Sequence, residues 1–389
     1  MGLVFIIFFI MFLIFLGVPS AYYLYMKNKA SKPWNLKIDE NYKPSISILV
    51  PMYNEEKTIR FKLENLWKVA YPTDKVEIIL VNDASTDKTL DEIRVFVNRN
   101  HSLNIMVLDR SEHEGKTSSL DFALKHATGD VIIVSDADCF WPADILAKTL
   151  PYLSDSNVGA IAGRELLLNS SASWSVKGEL FYDKTVQLIR VGESKVHSTI
   201  FFQGGFSAFK RILLDEFDKE TDDSGTAFNI VQKNRRTLLA PDAYFYTMFP
   251  TSWRSKVTLK IRRANQLQRI WLKCLKLLFH GKLVLPKRIA LPEIFLHIFN
   301  PIIFMALIFV MVFLIVENPI LFFIFLIVFL PAVLISTFRT PIIEMVQNNL
   351  ILFFAMVAFL NKRRLGIWKP VQEPRSLLDE GILRRKQLI

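Results

Sequence analysis

The chain has 389 residues, of which 51% are hydrophobic and 13% aromatic, including 32 Phe, with 22% charged and a net charge of +11. This apolar content excludes an ordinary soluble enzyme. The apolar excess sits at the two ends and the charge in the middle, as expected for a water-facing body held between membrane segments.

The first predicted element runs from Leu3 to Met26, long enough to span a bilayer. A cleaved signal peptide carries positive charge before its apolar core; here Lys27, Lys29 and Lys32 follow it instead. The segment therefore reads as a retained anchor with its C-terminal end in the cytosol.

Strand and helix then alternate. Residues 45–50 (SISILV) read as a strand, and Ile59, Leu63 and Leu66 carry helical spacing. Residues 76–81 (VEIILV) form the next strand, and Leu90, Ile93 and Val97 the next helix. Residues 104–108 (NIMVL), a helix through Leu120, Ala123 and Leu124, and the strand 131–134 (VIIV) complete the series. Such a series predicts an α/β, doubly wound, mostly parallel sheet covered on both faces. Ligands bind beyond the carboxyl ends of its strands. Three of the four strands run into polar or acidic loops, PMYNEE, NDASTD and SDADC. In the last, Asp136 and Asp138 repel unless a cation lies between them. Two residues apart in an extended segment, they leave the same face. Oxygen ligands favour Mg²⁺ or Mn²⁺, which share coordination with phosphates.

Three further apolar stretches follow near 292–316, 319–338 and 345–361, after KLLFHGKLVLPKR (276–288), which reads as an amphipathic surface helix. The link Glu317-Asn318-Pro319 lacks Lys and Arg and suits the outer face. Three full crossings would then put Lys362, Arg363 and Arg364 outside, against the charge rule. Either the last stretch is short and re-entrant or interfacial, or the rule fails. The expected organisation is an anchor with basic linker (1–43), a catalytic body (44–275), an interfacial helix with membrane segments (276–362) and a basic cytosolic tail (363–389). Much of the basic excess flanks apolar runs, pointing to lipid headgroups. No zinc-finger or helix-turn-helix pattern supports a nucleic-acid partner. Cys139 and Cys274 match no metal spacing and imply no disulfide framework.

The segments ISILVPMYNEEKTI, VEIILVNDASTDKT, GKTSSLDFALKHATGDVIIVSDADC, FFQGGFSAFKR and TDD occur in that order. This set resembles membrane-embedded members of glycosyltransferase family 2, which have a GT-A fold and include polyprenyl-phosphate glycosyltransferases and polysaccharide synthases. The resemblance covers roughly residues 44 to 275. It implies inverting transfer of a sugar from a nucleotide diphosphate to a lipid-linked or glycan acceptor at a cell membrane, with a multi-pass chain and a cytosolic catalytic body. UDP is the favoured carrier. By position, Pro51, Tyr53, Asn54 and Glu55 resemble the nucleoside-binding loop, Asp83 the carboxylate that reads the base, and Lys116 a donor-binding lysine. Asp136 resembles the aspartate near ribose and metal, and Asp138 the metal ligand for Mg²⁺ or Mn²⁺. Gly204 and Gly205 allow close approach to the sugar. Asp223 matches the catalytic base, with Asp222 where the family has Glu; alternatively the pair caps a helix beginning near Ser224. Asp87 reads as a cap for the helix after it.

Arg262 and Arg263 are expected at the leaving diphosphate. Polymer-forming relatives carry Gln-x-x-Arg-Trp near this point. Gln266 with Arg269 puts Ile270 where Trp belongs, and Lys260 with Arg263 puts Ala264 there. The missing Trp favours transfer of one or a few sugars over a processive polysaccharide synthase. Two other readings remain: a nucleotidyltransferase, which usually has a glycine-rich first loop, and a non-enzymatic cation-binding membrane protein, which would not need Asp223 or the two glycines.

Overall fold

A computed structural model describes residues 2–100, 104–323, 327, 330, 334–361 and 372–389. The predicted strands form as β1 (Ile46–Met52), β2 (Val76–Asn82), β3 (Asn104–Asp109) and β4 (Val131–Val134). They are followed by β5 (Cys139–Phe140), β6 (Val158–Leu167), β7 (Ser207–Lys210) and β8 (Arg236–Thr247). The sheet order is β3-β2-β1-β4-β7-β6-β8-β5. The first four strands pair in parallel, so the loops after β1, β2 and β4 open on one edge. β7 lies antiparallel between β4 and β6 and makes the sheet mixed.

Alternation along each strand supplies both faces. Ile48, Val50, Ile78, Leu80 and Ile133 pack against Ile59, Leu63 and Leu66 of α2 (Ile59–Trp67) and Ile93 of α3 (Thr89–Arg99). Leu49, Ile79, Val81, Ile132 and Val134 pack against Leu120, Ala123 and Leu124 of α4 (Lys116–Leu124). Each such buried aliphatic side chain contributes about 1.5–3 kcal/mol relative to exposure.

Among the described residues, three helices are long and apolar enough to cross a membrane: Gly2–Ala30 (α1), the run Lys287–Glu317 and Phe338–Leu360. The run joins α9 (Lys287–Ile294) to α10 (Asn300–Glu317) through a π-helical turn, Phe295–Phe299, with Pro292 inside α9. The predicted stretch 319–338 falls partly outside the described residues. α1 lies against α6 (Trp174–Val196), where a Cβ on Gly192 would run into the Met26 backbone. Ser336–Leu360 (α11) follows α8 (Trp253–Phe279) along its length. Lys256 meets Glu344 at 2.9 Å, and Asn265 and Gln268 donate to Ala355 and Leu352 carbonyls at 3.1 and 2.8 Å. Arg269 stands over the Phe359 ring.

Two expectations change. Residues 276–288 are not one surface helix. Lys276–Phe279 end α8, Gly281 takes a φ of +66° that stops it, and Pro286 precedes α9. The tail, expected as a basic cytosolic run, also carries folded segments among the described residues. Gln372–Ser376 (α12) and Glu380–Arg385 (α13) fold back onto the body. Leu383, Leu388 and Ile389 are buried with Phe140, and Asn65 Nδ2 donates to the Leu388 carbonyl at 2.7 Å. The basic residues Lys362, Arg363 and Arg364 lie outside the described residues.

Candidate active site

The loops beyond β1 and β2 are knitted to each other. Asn54 has a φ of +55°. Its amide N–H donates to Ser85 Oγ at 3.0 Å, and its side-chain oxygen accepts from Thr86 N–H at 2.8 Å. Asp87, one residue before the N-cap Lys88, accepts from the N–H of Thr89 at the start of α3 at 3.0 Å. Tyr53 stacks on His113 with centroids 3.7 Å apart. Asp83 is buried and accepts from the Gly115 N–H at 2.7 Å and the Glu114 N–H at 3.2 Å, with His113 Nδ1 2.7 Å away. Its carboxylate thus shapes the loop that leads to Lys116. Pro51 does not belong to that loop: it lies inside β1, buried and in register with Val81. The expected strand ends at Val50, but β1 continues through Met52.

Gly115, with a φ of +93°, turns the chain into α4 so that Lys116 points inward. Lys116 Nζ bridges Asp136 Oδ1 at 2.7 Å and Asp223 Oδ2 at 3.1 Å. Burial works against the lysine's charge, but Asp136 and Asp223 outweigh it and hold its pKa above the usual range. Burial likewise opposes ionisation of Asp136, yet Lys116 holds it below the usual carboxylate range. Burial prevails at Asp223 and pushes it up to about 6 despite Lys116. Its second oxygen, Oδ1, is buried without a hydrogen-bond partner. Both Asp222 and Asp223 open α7 (Asp222–Gln232), whose N-cap, Thr221, makes no side-chain cap bond. Asp222, at a φ of +47°, bonds Thr117 and accepts from Gln266 Nε2 at 3.4 Å. Neither aspartate is therefore spent on capping the backbone in the way Asp87 is.

Asp136 and Asp138 do not sit on extended chain. Residues 137–138 form a turn, with the Cys139 N–H donating to the Asp136 carbonyl at 3.3 Å. The turn still brings one ligand atom each from Asp136, Asp138 and Cys139 within 4.8 Å of one another. Burial pushes the Cys139 thiol well above its ordinary range, which leaves the two carboxylates as the ready donors. What remains is an oxygen pair on a partly open edge, a donor set that fits Mg²⁺ or Mn²⁺. Gly204 closes the far side: its carbonyl accepts from the Asp136 N–H at 2.7 Å, and a Cβ there would collide with Lys116 Nζ and the Asp136 carboxylate. At Gly205 a Cβ would strike the Phe245 ring. These glycines are needed for space rather than for turning.

Two cations here escaped the reading of the sequence. Lys62, wholly buried, donates to Ser135 Oγ at 2.6 Å and to the Cys139 carbonyl at 2.7 Å, bracing the turn from beneath. Burial lowers it to about 8. Arg375, from the tail, grips Glu55 through Nε at 2.7 Å and through Nη2, and Nη2 lies 3.2 Å from Asp138 Oδ2. Glu55, raised to about 7 by burial against the pull of Arg375, is therefore a support for the tail. The signal available in the tail was its apolar spacing at Leu377, Leu378, Leu383, Leu388 and Ile389, which a solvated run does not need.

The polar residues line a cavity of about 1130 Å³ that includes Lys116, Asp136, Gly204, Asp223, Arg262 and Gln266. A second cavity of about 700 Å³ is walled by Phe15 and Leu16 of α1, Phe181 and Val186 of α6, and Met345 and Leu352 of α11. The two share Phe201, Gln203, Arg263 and Leu267. At this junction Gln203 Nε2 donates to Glu165 Oε2 at 2.7 Å, and Arg263 lies 3.8 Å from the same oxygen. Lys260 lines the second cavity and pairs there with Glu179 at 2.7 Å. Trp271 is buried in the α8–α9 core, stacked on His297.

Residues 47–217 match Glycosyl transferase family 2. The chain is similar to the mannosyltransferase PcManGT from Pyrobaculum calidifontis, solved in complex with GDP-Man and Mn²⁺. The identity is 29% and the TM-score 0.80, over 93% of this chain and 100% of that one. It is 33% identical to the probable glycosyltransferase YdaM of Bacillus subtilis over 34% of this chain and 32% of that protein. It is 24% identical to the poly-beta-1,6-N-acetyl-D-glucosamine synthase of Staphylococcus aureus over 65% of this chain and 63% of that protein. The match thus covers less than two thirds of either curated relative.

Proposed function

We propose that this chain, whose residues 47–217 form a Glycosyl transferase family 2 domain within a GT-A fold, is a membrane-bound inverting hexosyltransferase. It would move a sugar from a nucleotide diphosphate to a lipid-linked acceptor. The observation that carries the reading is the junction of the two cavities at Gln203 and Arg263. A charged donor fits the first cavity, and an acceptor with an apolar chain fits the second, between helices that could lie in a membrane. Only at the junction would the two reactants meet.

In this reading the acceptor hydroxyl oxygen attacks the anomeric carbon opposite the diphosphate. The new C–O bond forms as the bond to phosphate breaks. Asp223 Oδ1 takes the hydroxyl proton, and the nucleoside diphosphate leaves. Lys116 holds Asp223 ionised and in place, and with Arg262 it faces the charge that grows on the leaving group. A divalent cation held by Asp136 and Asp138 would supply further neutralisation of the diphosphate. The similarity over nearly the whole chain to a protein solved with GDP-Man supports a GDP-linked hexose as the donor, beside the UDP-linked donor the resemblance implies. Burial of Trp271 away from the junction supports transfer of one or a few sugars. The body, extended to the end of α8, would face the cytosol, where nucleotide sugars are made.

The test uses the purified full chain in bilayer discs containing extracted membrane lipids and Mn²⁺, with labelled GDP-mannose in one arm and labelled UDP-hexoses in another. Label should pass into the lipid phase as nucleoside diphosphate appears in water. Absence of nucleoside diphosphate in every arm would remove the glycosyltransferase reading. Long water-soluble polymer would restore the processive alternative.

A further inference from the structure

Arg375 stands 320 residues from Glu55 in the chain, yet both its Nε and Nη2 engage that one carboxylate. A guanidinium held by two parallel bonds has its plane fixed, which a lysine could not achieve. The fixed plane presents Nη2 to Asp138 Oδ2 at 3.2 Å. Asp138 is otherwise weakly held: it is only partly buried, and its other contact among the described residues is with the Cys139 thiol at 3.7 Å. The seat beneath Arg375 is substantial. Glu373 accepts from Thr251 and Ser252 N–H groups at 2.8 Å, and Leu383, Leu388 and Ile389 are buried below. A solvated tail has no use for such an anchorage.

We propose that Arg375 is a positioning residue for the donor site. Carried in by the C-terminal helix α12 and aimed by Glu55, it sets the Asp138 carboxylate toward a divalent cation bound with the donor diphosphate. The site would then be complete only with residues 372–389 seated. This rests on the donor-binding reading above. Groups that orient metal ligands typically govern about 10- to 100-fold in metal affinity.

The experiment measures binding of Mn²⁺ to the full chain by electron paramagnetic resonance, with GDP or UDP present, for wild type, Arg375→Ala and Arg375→Lys. Wild type should bind Mn²⁺ with the nucleotide. Arg375→Ala should lose about 10- to 100-fold in Mn²⁺ affinity, and Arg375→Lys should recover little, because an ammonium cannot grip Glu55 in two places. Millimolar guanidinium should restore Mn²⁺ binding to Arg375→Ala, an effect that a merely structural side chain would not show. Equal Mn²⁺ affinity in all three proteins, or an Arg375→Ala protein insensitive to guanidinium, overturns the assignment. If wild type itself binds no Mn²⁺ with either nucleotide, the donor-site reading fails rather than the role of Arg375 within it. Should Arg375→Ala not fold, the folded Arg375→Lys protein decides: unchanged Mn²⁺ affinity there overturns the proposal.

Discussion

The two cavities that meet at Gln203 and Arg263 are built by opposite means. The donor cavity draws its groups from short segments at strand and helix ends: Lys116 after Gly115, Asp136 after β4, Asp223 at the start of α7. The apolar cavity takes such a segment at the junction, at Phe201 and Gln203, but is mostly helical. Its walls are faces of α1, α6, α8 and α11, brought together from all parts of the chain. Its rigidity comes from buried ion pairs, Lys256 with Glu344 at 2.9 Å and with Glu179 at 3.4 Å, and Lys260 with Glu179. The first cavity is local chemistry on a rigid sheet. The second is a product of tertiary packing. Damage to one should therefore leave the other measurable.

The sharpest separation is expected from Asp223→Asn, which keeps the hydrogen bond to Lys116 but cannot take a proton at Oδ1. Transfer should fall about 10²- to 10⁴-fold, while calorimetry shows nucleotide binding retained. Normal turnover would move the base to Asp222 or Glu165.

Lys256→Met tests the other cavity. The ammonium is wholly buried between Glu179, Glu344 and the Ser175 carbonyl. Removing one partner of a buried network costs about 3–5 kcal/mol. Thermal unfolding in detergent should show this loss, whereas nucleotide affinity in the surviving folded fraction stays unchanged. A matching loss of nucleotide affinity would mean that the two cavities are one cooperative unit.

Gly204→Ala pushes Lys116 and Asp136 apart from above. A displacement near 1 Å at such a site costs about 10²-fold in rate, and the variant should bind donor weakly while melting at nearly the wild-type temperature.

The mildest effect is that of pH. Burial raises Asp223 from its ordinary 3.8 to about 6. Below that value the base is protonated, so transfer should fall about tenfold per pH unit. Stability moves the other way. A raised carboxyl favours the fold below its ordinary pKa, and that contribution is lost as pH rises through about 6. Asp223→Asn should flatten both trends; a pH profile unchanged by the substitution would assign the titration elsewhere.

The contrast between the cavities also explains what could be read beforehand. Strand periodicity and the loops after β1, β2 and β4 place Tyr53, Asp83, Asp136 and Asp138 at one edge without any coordinates. Lys116 and Asp223 follow from short patterns beside them. The partners of these groups could not be read. That Lys116 bridges Asp136 to Asp223, 107 residues beyond the lysine, or that Gly204 is held small by Lys116 and Asp136, depends on distant chain segments meeting in space. Pro51 was misplaced because the end of β1 is set by its pairing with Val81, which no local preference reports. Arg375 was missed for the same reason in stronger form: its meaning lies wholly in where the tail lands.

That landing constrains the membrane-bound arrangement proposed above. There the body would leave α8 on one face of the membrane, and residues 372–389 are seated on that same body. A chain that departs from a face and returns to it crosses an even number of times. The proposed arrangement therefore requires an even count of crossings between His280 and Gln372. α11 runs beside α8 from Glu344 to Phe359, keeping company with a helix of the body rather than leading away from it. If the run Lys287–Glu317 crosses outward, the proposed arrangement needs a single return. In that arrangement parity, set by buried Leu388 and Ile389, would reconcile the number of apolar stretches with the distribution of positive charge.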